Sequence, residues 1–100
     1  MTIDAIMIKE IDNVATALRD IQPGEEVTIG KGEEKRRFRV EGSIPYGHKF
    51  AVKDIQQGED ILKYGEIIGR ATHNIPLGTH AHIQNIESLR GRGDLGSGDR

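Results

Sequence analysis

Ala51-Val52-Lys53-Asp54-Ile55-Gln56-Gln57-Gly58-Glu59-Asp60-Ile61 has a close counterpart earlier in the chain, Ala17-Leu18-Arg19-Asp20-Ile21-Gln22-Pro23-Gly24-Glu25-Glu26-Val27. A third copy follows as Ala71-Thr72-His73-Asn74-Ile75-Pro76-Leu77-Gly78-Thr79-His80-Ala81, and a shorter fourth is Ile44-Pro45-Tyr46-Gly47-His48-Lys49-Phe50. All four read Ile, two residues, Gly, two residues, apolar. An Asp or Asn before the Ile offers a side-chain cap for a turn, and Gly accepts the left-handed backbone angle such a turn requires. The apolar residue beyond the Gly starts a strand whose alternate side chains face inward. Each copy is therefore expected to form a strand, a tight corner and a second strand. One unit is too short to bury its own core, so several must wrap around each other. The fold class is mainly β, built from short strand–turn–strand repeats with at most a short helix.

Outside the repeats, Ile3, Ile6, Ile8 and Ile11 stand among polar residues and predict an edge strand over residues 1–11. Val27 to Ile29 and Phe38 to Val40 flank Gly30-Lys31-Gly32-Glu33-Glu34, which reads as a hairpin tip. Lys63-Tyr64-Gly65 reads as a further corner, and residues 13–20 also fit a short helix, because eight residues do not separate the two periods. Residues 1–89 form one domain in this reading. From residue 90 the sequence is Arg90-Gly91-Arg92-Gly93-Asp94-Leu95-Gly96-Ser97-Gly98-Asp99-Arg100, the composition of a flexible tail.

A chain of 100 residues and 11.1 kDa has room for one thin core, so a partner chain or self-association would add buried surface. Its net charge of −2 gives no global attraction to nucleic acid or anionic membrane. The basic run Lys35-Arg36-Arg37-Phe38-Arg39 is flanked by Glu33, Glu34 and Glu41 and reads as a solvated strand edge rather than an RNA site. With no cysteine, disulfides, thiolate metal sites and cysteine nucleophiles are excluded. No segment approaches the ~20 apolar residues of a membrane span and no signal peptide is evident, so cytoplasm is the expected location.

His80-Ala81-His82 is the sharpest chemical feature. On a strand the two imidazoles share a face and can hold one divalent cation such as zinc, iron, nickel or copper. Two histidines on a surface strand can equally lack any role. Gly47-His48-Lys49 sets another imidazole beside an ammonium just after a corner. A third metal ligand, a general base and a carboxylate-binding Lys are the readings that remain open there, against simple exposure. Asn85 can offer its amide to a substrate hydroxyl or close a turn. His73 falls in an exposed basic slot of the repeat, and Tyr46 and Tyr64 read as packing residues. Nucleotide loops and nucleophile elbows are missing, so any catalysis would need a site shared with another polypeptide.

The runs Ile44-Pro45-Tyr46-Gly47-His48-Lys49-Phe50-Ala51-Val52-Lys53-Asp54-Ile55, Gly58-Glu59-Asp60-Ile61-Leu62-Lys63-Tyr64-Gly65 and Ile68-Gly69-Arg70-Ala71-Thr72 resemble the altronate and galactarate dehydratase family. So does Ile75-Pro76-Leu77-Gly78-Thr79-His80-Ala81-His82-Ile83-Gln84-Asn85. The resemblance implies a SAF domain of the β-clip type, either preceding a large catalytic domain or standing as a small subunit, as in sulfolactate sulfo-lyases. It implies a hydro-lyase that eliminates water from a sugar acid such as altronate, with a divalent metal, commonly Fe2+, and a separate large catalytic subunit as partner. By that analogy His48, His80 and His82 fall at the metal, His48 and Lys49 serve catalysis, and Lys49 and Asn85 contact substrate. The alternative is a non-catalytic β-clip module that binds a carbohydrate or a protein.

Overall fold

The computed structural model describes residues 3–88; the tail expected from residue 90 lies outside them. Nine strands make up the described chain: β1 (Ala5–Ile6), β2 (Val14–Ala17), β3 (Glu26–Lys31), β4 (Glu34–Arg39), β5 (Lys49–Ala51), β6 (Asp60–Lys63), β7 (Glu66–Ala71), β8 (His80–Ala81) and β9 (Ile86–Ser88). They form a six-stranded sheet in the order β4-β3-β1-β2-β5-β8 and a three-stranded sheet in the order β6-β7-β9. The mainly β class holds, and no helix occurs among the described residues.

The four copies of the repeat close as equivalent corners. The backbone N–H groups of Glu25, His48, Glu59 and Thr79 donate to the carbonyls of Gln22, Pro45, Gln56 and Pro76 over 3.0–3.1 Å. The third residue of each turn is a Gly with φ between +83° and +93°, the signature of a type II turn. The corners then associate in pairs, with Ile21 bridged to Ile44 and Ile55 bridged to Ile75. Within a pair each Gly N–H reaches across, Gly47 to Ala17, Gly58 to Ala71 and Gly78 to Ala51 in the other copy and Gly24 to Val40 just before the fourth copy, over 2.7–2.9 Å.

The residue before each Ile explains the pairing. Asp20 Oδ1 accepts the N–H of Tyr46 at 2.7 Å, Asp54 Oδ1 that of Leu77 at 2.8 Å, and Asn74 Oδ1 that of Gln57 at 2.7 Å. These side chains cap the turn of the paired copy, not their own as the sequence suggests. In the fourth slot the capped position is Pro23, which has no N–H, and the residue before Ile44 is Ser43 instead of an acid.

Strands β2 and β5 are buried on both faces and divide the interior. Ala15, Ala17 and Phe50 join Met7, Ile21, Val27, Ile29 and Ile44 in one cluster. Val14 and Ala51 join Ile55, Ile61, Ala71, Ile75 and Ala81 in the other. Residues 13–20 are thus not helical: alternate positions of β2 serve two different cores, which only an extended chain can do. The predicted edge strand over residues 1–11 is also corrected. It shrinks to β1, which lies inside the sheet, parallel to β3 and antiparallel to β2. Ala5 and Met7 face inward, whereas Ile8 and Ile11 are exposed. The strand stops there because Asp12 draws the N–H groups of Ile8 and Lys9 onto its carboxylate at 3.1 and 3.0 Å.

The hairpin tip between β3 and β4 lies where expected, with Lys31 opposite Glu34. The basic run is on exposed β4, where Arg36 pairs with Glu10 at 2.8 Å and Arg37 with Glu26 at 2.6 Å. Tyr46 is 69% exposed on its corner rather than packed. Two corner glycines separate the cost of backbone angle from the cost of crowding. A Cβ on Gly58 would meet nothing, whereas one on Gly78 would lie 2.9 Å from the Arg39 carbonyl oxygen. Gly58→Ala is expected to cost about 1–2 kcal/mol from positive φ alone, and Gly78→Ala clearly more. Denaturant midpoints of the two variants check the order, and equal losses would contradict it.

Candidate metal centre

The third copy and the shorter fourth bring their ends together where β5 pairs with β8, Lys49 opposite Ala81 and Phe50 opposite His80. In the two copies whose turn begins with Gln, the residue after the Gly is a Glu that bends back. Glu25 accepts the Gln22 N–H at 2.7 Å and Glu59 accepts the Gln56 N–H at 2.5 Å. In the other two copies the turn begins with Pro45 or Pro76, which has no N–H to cap. Thr79 there donates its hydroxyl to the Pro76 carbonyl at 2.6 Å, and His48 turns away toward β8. Its Nδ1 lies 2.9 Å from His80 Nε2.

His82 completes a triad. The ring centroids are 4.1 Å apart for His48 and His82, 5.1 Å for His48 and His80, and 5.4 Å for His80 and His82, all in stacked orientation. One nitrogen from each ring lies within 4.8 Å of the other two, and each residue is half-buried. The loop over residues 82–85 fixes this geometry. Asn85 Oδ1 accepts the His82 N–H at 2.9 Å, and Asn85 Nδ2 donates to the His80 carbonyl at 2.9 Å. The Gln84 side-chain amide lies 3.2 Å from His80 Nδ1, a contact that ties down the far edge of the ring while Nε2 faces His48.

Burial, followed by the fields of His48, His82 and Lys49, depresses His80 below the ordinary imidazole value. Burial, then His48 and Lys49, depresses His82 in the same direction. Both effects favour neutral rings with available lone pairs, the form that ligates a metal. A three-imidazole set with no carboxylate in the cluster is a donor set for a divalent transition ion. The residues therefore fit the metal that the resemblance implies.

A groove of about 490 Å³ opens beside His82. Lys49 and Lys63 line it, and Ile67, Ile68, Ile83 and Ile86 form its apolar wall. Burial, and then the charge of Lys63, depresses Lys49 from its ordinary value. The structure thus brings His48, Lys49, His80, His82 and Asn85 to one end of the molecule. Both Asn85 polar atoms are engaged inside the loop. His73 stands apart, exposed and bonded to the Thr72 hydroxyl at 2.9 Å. Sequence reasoning missed Lys63 and the groove wall, and the register irregularity between Ile61 and Leu62 means that simple strand alternation gives no signal for Lys63.

Comparison with known proteins extends these observations. The family model described as the altronate/galactarate dehydratase SAF domain matches residues 3–89. Altronate dehydratase of Escherichia coli K12 is 39% identical over 83 residues, covering 83% of this chain and 16% of that protein. Altronate dehydratase of Bacillus subtilis is 40% identical over 84 residues, with the same shares, so the chain spans about a sixth of these relatives. The (2R)-sulfolactate sulfo-lyase subunit alpha of Chromohalobacter salexigens is 31% identical over 93 residues, covering 90% of this chain and 99% of that subunit.

Proposed function

The chain belongs to the altronate/galactarate dehydratase SAF domain family, and from that premise we propose that it is the small subunit of a hydro-lyase that dehydrates a sugar acid such as altronate, together with a large catalytic subunit. The observation that carries this reading is the convergence of His48, His80 and His82 beside a cationic groove. Correspondence over 99% of a sulfo-lyase subunit alpha supports the subunit role. No helix among the described residues is long and apolar enough to cross a membrane, and we place the assembled enzyme in the cytoplasm.

In this reading His48, His80 and His82 hold a divalent ion, Fe2+ being our choice, which supplies Lewis-acid polarisation of the substrate's oxygens. Gln84 can accept as well as donate at His80 Nδ1, so it can support the tautomer that frees Nε2. Lys49 sets its ammonium against the substrate carboxylate and stabilises the charge that builds there when the neighbouring carbon loses its proton. Asn85 acts as a positioning residue, holding the backbone that carries His80 and His82. A group that protonates the departing hydroxyl comes from the large subunit, because His48 is committed to the ion.

Purification of a tagged chain from its native cells, followed by assay of the recovered complex with Fe2+ and altronate, tests the proposal. A large dehydratase-like subunit in near-equal amount and release of a keto acid are expected. A chain recovered alone and inactive would favour the alternative, a non-catalytic module binding a carbohydrate or a protein.

A further inference from the structure

Ile8, Ile11 and Tyr64 are 46%, 55% and 41% exposed, and their two turns are tied together by one buried carboxylate. Asp12 accepts the N–H groups of Ile8 and Lys9 on one oxygen and that of Gly65 on the other. Tyr64 stands there at a cost. Its φ of +56° is the one positive value outside glycine among the described residues, at a turn position that Asn or Gly fills with little strain. The ring belongs to neither core cluster, so the interior does not account for it. Two exposed isoleucines about a short turn and a strained tyrosine beside them point to contact with something outside the chain. The border of the patch is basic. The Lys9 stem crosses the β6–β7 turn, with Cγ 3.0 Å from where a Cβ on Gly65 would stand, and Lys53 Nζ donates to the Glu10 carbonyl at 3.3 Å. Neither lysine has an ion pair within 4.0 Å among the described residues. Glu10, the exposed acid of the same turn, is taken by Lys31 at 3.2 Å and Arg36 at 2.8 Å. Lys63 lies over the Tyr64 ring, 5.0 Å from its centroid. Glu66 stands opposite it in the ladder, so Lys63 adds no surplus charge, but it also lines the groove beside His82 and so joins the patch to that groove.

We infer that Ile8, Ile11 and Tyr64, bordered by Lys9 and Lys53, form the surface on which the large subunit docks, and that the segment it presents is apolar with carboxylates at its edge. This rests on the two-subunit reading and adds where the subunits meet. The Asp12 clamp holds the three side chains in place before contact, so little ordering remains to be lost on binding. Tyrosine is among the residues that most often anchor interfaces. Carboxylates on the partner answer the two lysines that no acid of this chain takes up. A subunit seated here reaches the mouth of the groove, where it can deliver the acid that the departing hydroxyl requires. A second copy of this chain is the poorer occupant, because a two-fold pairing through the patch sets lysines against lysines. An anionic lipid surface is poorer as well, because exposed Glu10 and Glu66 flank the patch and the chain carries a net charge of −2.

The test expresses the tagged full chain and its variants in the native cells, and measures by mass spectrometry how much of an identified dehydratase-like large subunit each recovers. Melting of each purified chain is followed in parallel. Tyr64→Asn is the decisive variant, because Asn suits the positive φ: it is expected to melt no lower than the unaltered chain and yet to recover at least about tenfold less large subunit. Ile11→Asn is expected to lose the subunit likewise, and Tyr64→Phe to keep it. Leu77→Asn, on a corner elsewhere and 46% exposed like Ile8, is expected to recover it in full. Full recovery by Tyr64→Asn and Ile11→Asn would overturn the docking surface and leave the two-subunit reading standing. Recovery lost equally with Leu77→Asn would overturn the surface too. Recovery of no large subunit by the unaltered chain would remove both. Sedimentation with vesicles of phosphatidylglycerol and phosphatidylcholine tests the lipid alternative: binding by the unaltered chain that Tyr64→Asn abolishes would reassign the patch to a membrane and overturn the inference.

Discussion

Exchange of both His80 and His82 for alanine is expected to abolish metal retention, and loss of either one, or of His48, to weaken Co2+ or Fe2+ binding by about a hundredfold. The size follows from the donor set. Structural four-ligand zinc sites bind with roughly 10–16 kcal/mol, so one of three ligands represents about 3 kcal/mol, or two powers of ten. The three rings are held by separate devices, the His48 corner, the β5–β8 pairing and the Asn85-capped loop, so they do not rearrange freely to replace one another. Metal content of the purified assembly and the visible spectrum of a Co2+-loaded chain provide the measurements. Asn85→Ala is expected to weaken the site less, by about tenfold, because it acts through the orientation of the histidine backbone. His73→Ala is the control, since that ring is exposed, hydrogen-bonds the Thr72 hydroxyl and stands apart from the triad. Unchanged metal content in the double variant would remove the metal centre from this protein altogether.

The repeat made the corners legible because each one is specified within seven residues: an Ile to bury, a Gly to take positive φ and an apolar residue to start the next strand. What it left out was the partner of each corner. That choice depends on which Asp or Asn reaches which N–H across space, and only comparison of Pro23 with Tyr46, Gln57 and Leu77 shows that the caps cross between copies. The edge strand failed for a related reason. Isoleucine positions outweighed Ala5 and Met7 in a reading by hydrophobicity, although the buried parity belongs to the smaller residue and the thioether. The triad was legible as residue types, since His80 and His82 stand two residues apart and only the His48 copy is basic in its slot, although β8 ends at Ala81 and it is the following loop, not a strand face, that places His82. That His48 faces His80 at 2.9 Å was not, because it depends on the β5–β8 register. Lys63 was hidden among ordinary polar residues; that it lines a groove with Lys49 and His82 emerges only in the folded chain.

Asp12→Ala is expected to be the most destabilising single change away from the triad, by about 3–4 kcal/mol, with a fall in melting temperature of roughly 15 °C or more. The carboxylate is fully buried and accepts the N–H groups of Ile8 at 3.1 Å, Lys9 at 3.0 Å and Gly65 at 2.8 Å. It therefore clamps the end of β1 onto the Tyr64–Gly65 turn, and Asn13 beside it accepts the Leu62 N–H at 2.8 Å. Removing the side chain leaves several buried donors without an acceptor and frees the hairpin that carries Lys63. Burial works to raise the Asp12 carboxyl, but the N–H groups of Lys9, Gly65, Ile8 and Tyr64 outweigh it, and the group is held below its ordinary value. The sign of the pH effect follows. A depressed acid contributes stability in full above its unfolded value, near 3.8, and loses it as pH falls through the lower folded value. Asp4, Glu10 and Glu25 are depressed as well, so the unaltered chain loses stability in acid for more than one reason. The difference between the unaltered chain and Asp12→Asn isolates one of them: it is expected to be large at neutral pH and to narrow toward pH 2. A gap that stays constant across that range would mean that the ionised carboxylate is not what holds the turn, and that shape alone does.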